Sequence, residues 1–226
     1  MTEQIQATRM DAVISFAVPT TADAAQRYYE DPSPRTAEAL VAPDLLEAAR
    51  HAVGGGAEVR GADAVVGRGA SAYGAAIQIL ITIGGVGGGV TILAQAAKIA
   101  RAAYRALRAR LGYRPHVSLG AATFLAAADL IDRLGHTNFG LLGCGDTNNS
   151  PPDHSFTGEE TFWVIFSDHP ELYVYLVAAN GRVHYMGGHE MRAGRGSRLA
   201  HIPGSNGRTA RPDIEDDEGD SYDGLT

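Results

Sequence analysis

After a polar start, the chain reads AVISFAV over 12–18, apolar throughout and stopped by Pro19, which is the pattern of a buried strand. Thr20 or Thr21 then precedes a run reaching Tyr29 with Asp23 in its first turn. A hydroxyl cap followed by an early acid predicts a short helix, because both suit the free N–H groups of a helix start. Pro32 and Pro34 end it. A helical pattern covers 36–52, interrupted near Pro43 and stopped at Gly54-Gly55-Gly56, and 57–66 reads as a second strand.

The stretch 69–97 carries no charge at all. Its first part, 73–83, is apolar and β-branched near its end; 84–89 holds five glycines around Val86. Beyond, Ile92, Ala96, Ile99, Ala103 and Leu107 recur at helical spacing, with Lys98, Arg101, Arg105 and Arg108 as a stripe on another face. Together these predict one long helical segment interrupted by glycine and closed by Gly112 and Pro115. A short strand at 116–119, a buried helix over 121–134 and a loop over 137–158 follow. Three strands, 160–166, 172–178 and 182–186, make a C-terminal antiparallel meander, with a two-residue hairpin turn expected at Asn180-Gly181. Alternation sets Phe162, Val164 and Phe166 on one face and Trp163 and Ile165 on the other. The first face is expected against the 121–134 helix, the second under the N-terminal part.

The resulting fold class is α+β. One domain spans 1–191, with the meander at 160–187, and a disordered acidic tail covers 192–226, where few large apolar side chains offset the entropy of ordering.

Composition sharpens this picture in three places. The formal net charge is −7, but 213–223 alone contributes seven acids and no base. The remainder is near neutral, so nothing global favours a nucleic-acid partner. Lys98 is the only lysine beside eighteen arginines, which with abundant Ala and Gly reads as the codon signature of a high-GC bacterium. Cys144 stands alone, so no intrachain disulfide forms and a reducing compartment is expected. The first residues lack a secretory pattern, which points to the cytoplasm. The competing location is the inner membrane, with a single span near 73–97 and the basic flank cytoplasmic. Gln78, Gln95 and the glycines weigh against that span.

Candidate chemistry is sparse. Gly84, Gly85, Gly87, Gly88 and Gly89, between a strand and a helix, suggest a phosphate cradle. Their spacing departs from the dinucleotide fingerprint at Val90, and no phosphate-loop lysine follows. Cys144, Asp146 and His154, with Asp153, are the candidates for a catalytic loop. His184, His189 and Glu190 lie close in sequence, but Gly187-Gly188 breaks any metal-ligand spacing, so neither a metal nor another cofactor is expected. Lys98, Arg101, Arg105 and Arg108 are candidates for meeting a protein partner.

Residues 57–119 also carry a resemblance. SAYGA at 71–75, IGGVGGGVT at 83–91 and RALRARL at 105–111 are similar to the effector-associated constant-component domains of high-GC bacteria. The resemblance covers just over a quarter of the chain. It implies a non-catalytic accessory or adaptor module in bacterial conflict or signalling systems and brings no catalytic residues. The leading expectation is therefore an adaptor protein. The alternative is a small nucleotide-binding protein or enzyme using the 84–89 glycines or the Cys144–His154 loop.

Overall fold

A computed structural model describes residues 10–66, 73–83, 89–147, 155–156 and 161–190. They form a mixed α/β body in which two sheets are separated by helices. The first sheet gathers β1 (Met10–Val18), β2 (Glu58–Val66), β3 (Tyr73–Ile83), β4 (His116–Val117) and β6 (Ser155–Phe156) in the order β4-β1-β3-β2-β6. Between β1 and β2 run α1 (Ala22–Glu30), α2 (Pro34–Ala39) and α3 (Pro43–Val53); α4 (Gly89–Leu111) joins β3 to β4. Strand β1 is antiparallel to both β3 and β4, and β2 is antiparallel to β3. Hence β3 and β4 are parallel with β1 between them, and β1 and β2 are parallel with β3 between them. This is a double split βαβ arrangement, the connectivity of ferredoxin-like sandwiches.

Local signals explain the element ends. The Thr21 hydroxyl accepts the Ala24 N–H at the start of α1. Ser33 and Thr36 form a reciprocal capping box ahead of α2, with Pro34 in its first turn. The expected helix over 36–52 is thus two helices, divided at the Pro43 interruption.

One expectation is corrected. The uncharged stretch is not a glycine-interrupted helix: 73–83 is a strand at the centre of the first sheet. Ile77, Ile79 and Ile81 point to the helical side and are buried, and their alternation with Gln78 and Leu80 is the period-two signal that overrides the run's overall apolarity. The 84–88 part of the glycine cluster lies outside the described residues. The 73–83 part of the expected membrane span is thus this strand. Among the described residues no helix is long and apolar enough to cross a membrane.

The second sheet is also larger than expected. It has four strands, β5 (Gly140–Asp146), β7 (Thr161–Asp168), β8 (Glu171–Ala178) and β9 (Val183–Glu190), in the order β5-β7-β8-β9. A three-stranded meander is therefore not what forms, because part of the segment taken as loop pairs with β7. The β8–β9 connection also differs from the two-residue turn expected. The Ala178 N–H donates to the Arg182 carbonyl, leaving Ala179, Asn180 and Gly181 as a three-residue loop with Gly181 at φ +72°. That is the wider hairpin form ending in a left-handed glycine. The tail beyond Glu190 lies outside the described residues.

The helix α5 (Leu119–Leu134) lies between the two layers. It packs on α4 and β1 on one side and on all four strands of the second sheet on the other. Because it meets neighbours all round, it needs small side chains, and Ala121, Ala122, Ala126 and Ala127 are fully buried. Its first turn crosses the β1 backbone so closely that a Cβ on Gly120 would stand 2.5 Å from the Val13 carbonyl oxygen. Ser118 caps the helix and is tied to β1. It accepts the Ser15 N–H at 3.2 Å through its hydroxyl, and its own N–H donates to the Ser15 carbonyl at 3.0 Å.

The layers are also joined at β4. The Val117 N–H donates to the Ala179 carbonyl at 2.7 Å, so the edge of the first sheet reaches the hairpin of the second. Tyr104 of α4 donates to the Asn180 carbonyl at 2.8 Å and packs beside Phe16.

Enlarging a side chain on α5 should therefore push two layers apart at once. Ala126→Leu is expected to cost about 1–3 kcal/mol by overpacking. Asp129→Ala, at the half-exposed margin of the same helix, should cost less. Urea denaturation of both variants checks this, and equal midpoints would be at odds with α5 as a filled interlayer.

Candidate functional site

The two faces of the second sheet differ in kind. Phe162, Val164, Phe166, Tyr173, Tyr175 and Val177 point toward α5 and are buried. Phe139, just ahead of β5, meets Phe166 edge to face at 5.3 Å, and Phe166 meets Tyr175 in the same way. Residues in between face outward. Trp163, Ile165, Leu172, Val174 and Leu176 are half-buried there. Trp163 and Ile165 were expected beneath the N-terminal part, but that part lies beyond α5, on the side of the other face.

Both edge strands break register. The pairing of β5 with β7 shifts between Leu141 and Gly143, and the pairing of β8 with β9 shifts between Val174 and Tyr175, which skips Met186. Each irregularity leaves a large apolar side chain in solvent: Leu142 is 62% exposed and Met186 58% exposed. Bulges commonly re-aim side chains and protect sheet edges from indiscriminate pairing. The result is an outward apolar face with an exposed aliphatic side chain on each edge strand. Its apolar side chains stand on β7 and β8, while β5 contributes Gly143 and Gly145 and β9 contributes His184, Gly187 and His189.

The glycines around Cys144 belong to this face rather than to a reactive loop. Gly143 and Gly145 stand opposite Ile165 and Trp163 on β7. A Cβ on Gly145 would sit 2.7 Å from the Trp163 indole, and one on Gly143 at 3.3 Å. The indole thus lies across bare backbone. Sequence reasoning missed this pairing, because Gly143 and Gly145 meet Trp163 only through the β5–β7 register.

Cys144 is not on a loop, as expected, but in β5 opposite Val164, half-buried and packed on the core. Asp146 ends the same strand opposite Phe162. Asp153 and His154 lie outside the described residues, as do Gly84, Gly85, Gly87 and Gly88; Gly89 is the first residue of α4. The strand–glycine–helix–strand unit is present in sequence order, but its two strands are separated by antiparallel β1. The crevice between adjacent parallel strands that holds a dinucleotide in doubly wound sheets is therefore not formed here. His184 and His189 lie on β9 opposite Leu176 and Leu172. Among the described residues no three His, Cys, Asp or Glu side chains converge as a metal site would need. In the basic stripe Arg101 pairs with Asp132 of α5 at 2.7 Å, whereas Lys98, Arg105 and Arg108 are exposed.

The inner face holds a polar cluster near the C-terminal half of α5. Arg133 pairs with Asp129 at 2.6 Å and stacks over the Tyr185 ring at 4.6 Å. Burial first, and then the charge of Asp129, raises the pKa of Tyr175. The Tyr173 hydroxyl donates to Glu171; that bond foremost, and burial after it, pushes its pKa up to about 12.

Two outcomes follow. Gly145→Ala should displace the Trp163 indole, costing about 1–3 kcal/mol and shifting the emission of the only tryptophan; an unchanged spectrum would contradict the packing. The second concerns alkaline pH. Tyr173 has a folded pKa above its ordinary value of 10.0. Its contribution to stability is therefore complete below pH 10 and is lost as pH rises from about 10 through about 12. Tyr173→Phe should make the fall of the urea midpoint over that window shallower, while Tyr175 retains part of it.

Comparison of the chain with protein-family models, curated proteins and solved structures yields no match.

Proposed function

We propose that the chain is a non-catalytic adaptor of a bacterial conflict or signalling system, acting in the cytoplasm and engaging another protein through the outer face of its second sheet. The observation that carries this reading is the pair of exposed bulge residues, Leu142 and Met186, on the edge strands of a face lined by Trp163, Ile165, Val174 and Leu176. A sheet with one filled face and one apolar outward face places binding energy on a surface rather than in a cleft, and aromatic and Met side chains are enriched in such contacts. The resemblance of 57–119 to effector-associated constant-component domains supports the same class. The split arrangement of the first sheet is compatible with it, since a fold of this kind hosts many unrelated functions and selects none by itself.

The test is recovery of partners by the tagged full chain from its native cell, against a Leu142→Glu and Met186→Glu double variant. Both substitutions lie at exposed positions and should leave the melting curve close to the parent's. A partner retained by the parent and lost by the variant is the expected result. Identical recovery by the two proteins would refute the surface, and turnover of a nucleotide by the purified chain would refute the class.

A further inference from the structure

We infer that docking on the outer face of the second sheet is released by acid, and that His184 and His189 are the groups that release it. The inference rests on the reading of that face as a contact surface and concerns its regulation.

Register places both histidines on this face. His184 stands opposite Leu176 and His189 opposite Leu172. Those leucines alternate with Tyr173 and Tyr175, which are buried on the inner side, so the leucines and the histidines beside them point outward. Both histidines are exposed, and Met186 stands out at the bulge between them. Among the described residues neither forms an ion pair.

The surroundings supply no counter-charge. On the outer face β8 brings Val174 between its two leucines, β7 brings Trp163 and Ile165, and β5 brings glycines. The carboxylates of these strands take inner positions. Asp146 is opposite Phe162, and Asp168 and Glu190 are both opposite Glu171, which accepts the Tyr173 hydroxyl. On the inner side of β9, α5 presents Asp129 and Arg133, which pair with each other, Arg133 lying over the Tyr185 ring. Arg182, exposed and bonded through its carbonyl to Ala178, is a permanent cation two residues before His184.

Histidine is the side chain that changes charge between pH 5 and 8. While neutral, the two imidazoles can be covered by an apolar partner surface. Once charged, each would be covered with no acid of this chain to pair with, and His184 with a like charge nearby. A surface that fits Trp163 and its aliphatic neighbours is itself apolar, so it leaves that burial uncompensated. The bound state thus favours the neutral form. Affinity is full at pH 8 and falls as the pH drops through the titration of the imidazoles.

The probe is N-phenyl-1-naphthylamine, an uncharged apolar dye, titrated into the full chain at pH 8 and at pH 5.5 and read by its fluorescence. Binding about tenfold weaker at pH 5.5 is expected. His184→Gln with His189→Gln should bind as the parent does at pH 8 and keep that affinity at pH 5.5. A glutamine pair that retains the parent's pH dependence would overturn release by histidine and leave the contact face standing. His184→Arg with His189→Arg should bind weakly at both pH values. It makes the test at pH 8 alone if acid unfolds the chain, and binding there equal to the parent's would also overturn the inference. Leu142→Glu with Met186→Glu should lose the dye at pH 8; undiminished binding by that variant would overturn the face itself.

Discussion

The architecture depends on one helix having neighbours on every side. Helix α5 is packed between a split βαβ sheet and a four-stranded antiparallel sheet, and both layers take their distance from it. A helix in that position tolerates side chains only as wide as the gap, which is why its centre is alanine and why it passes β1 at a glycine. Its ends are held differently. Ser118 ties the start to β1 by reciprocal hydrogen bonds, and Asp132 ties the last turns to Arg101 of α4. The remaining contacts between layers, Val117 to Ala179 and Tyr104 to Asn180, gather at the N-terminal end of α5. Backbone and hydroxyl bonds thus gather at the N-terminal end of α5, whereas its C-terminal end is held by charged groups, with Arg133 over the Tyr185 ring and His136 beside Asp168.

This arrangement sorts the chemistry of the second sheet. Its inner face combines aromatic packing with a carboxylate–arginine–tyrosine group, so its ionisable side chains answer to burial and to one another. The outer face carries Trp163 laid across bare glycine backbone, with His184 and His189 at its β9 edge.

Much of the fold was legible in the sequence where local chemistry acts alone. The 12–18 run, the hydroxyl cap at Thr21, the stop at Gly54 and the alternation from Phe162 to Phe166 all act over a few residues. What could not be read depended on partners distant in sequence. The segment Gly140–Asp146 has almost no strand propensity of its own; it pairs because β7 offers a free edge and a tryptophan that needs glycine beneath it. Residues 73–83 were assigned to helix because their uncharged length dominated the reading, although Ile77, Ile79 and Ile81 already alternated. The candidate surface was hidden for a related reason. Leu142 and Met186 become notable only once register shifts expose them, and sequence does not display register. The arginines were visible as a stripe, but their sorting was not: only the packing of α4 on α5 shows that Arg101 is taken while Arg105 and Arg108 are free.

The placement of α5 in the chain has a consequence during synthesis. Everything the first sheet needs up to β4 precedes the helix in sequence, and the strands that cover its other side follow it, ending at Glu190. A ribosome adding roughly 5–20 residues per second spends several seconds between completing α5 and completing β9. Throughout that interval one flank of the helix is displayed to the crowded cell. Its large apolar side chains, Leu125 and Leu130 among them, have only part of their eventual surroundings until β9 is complete.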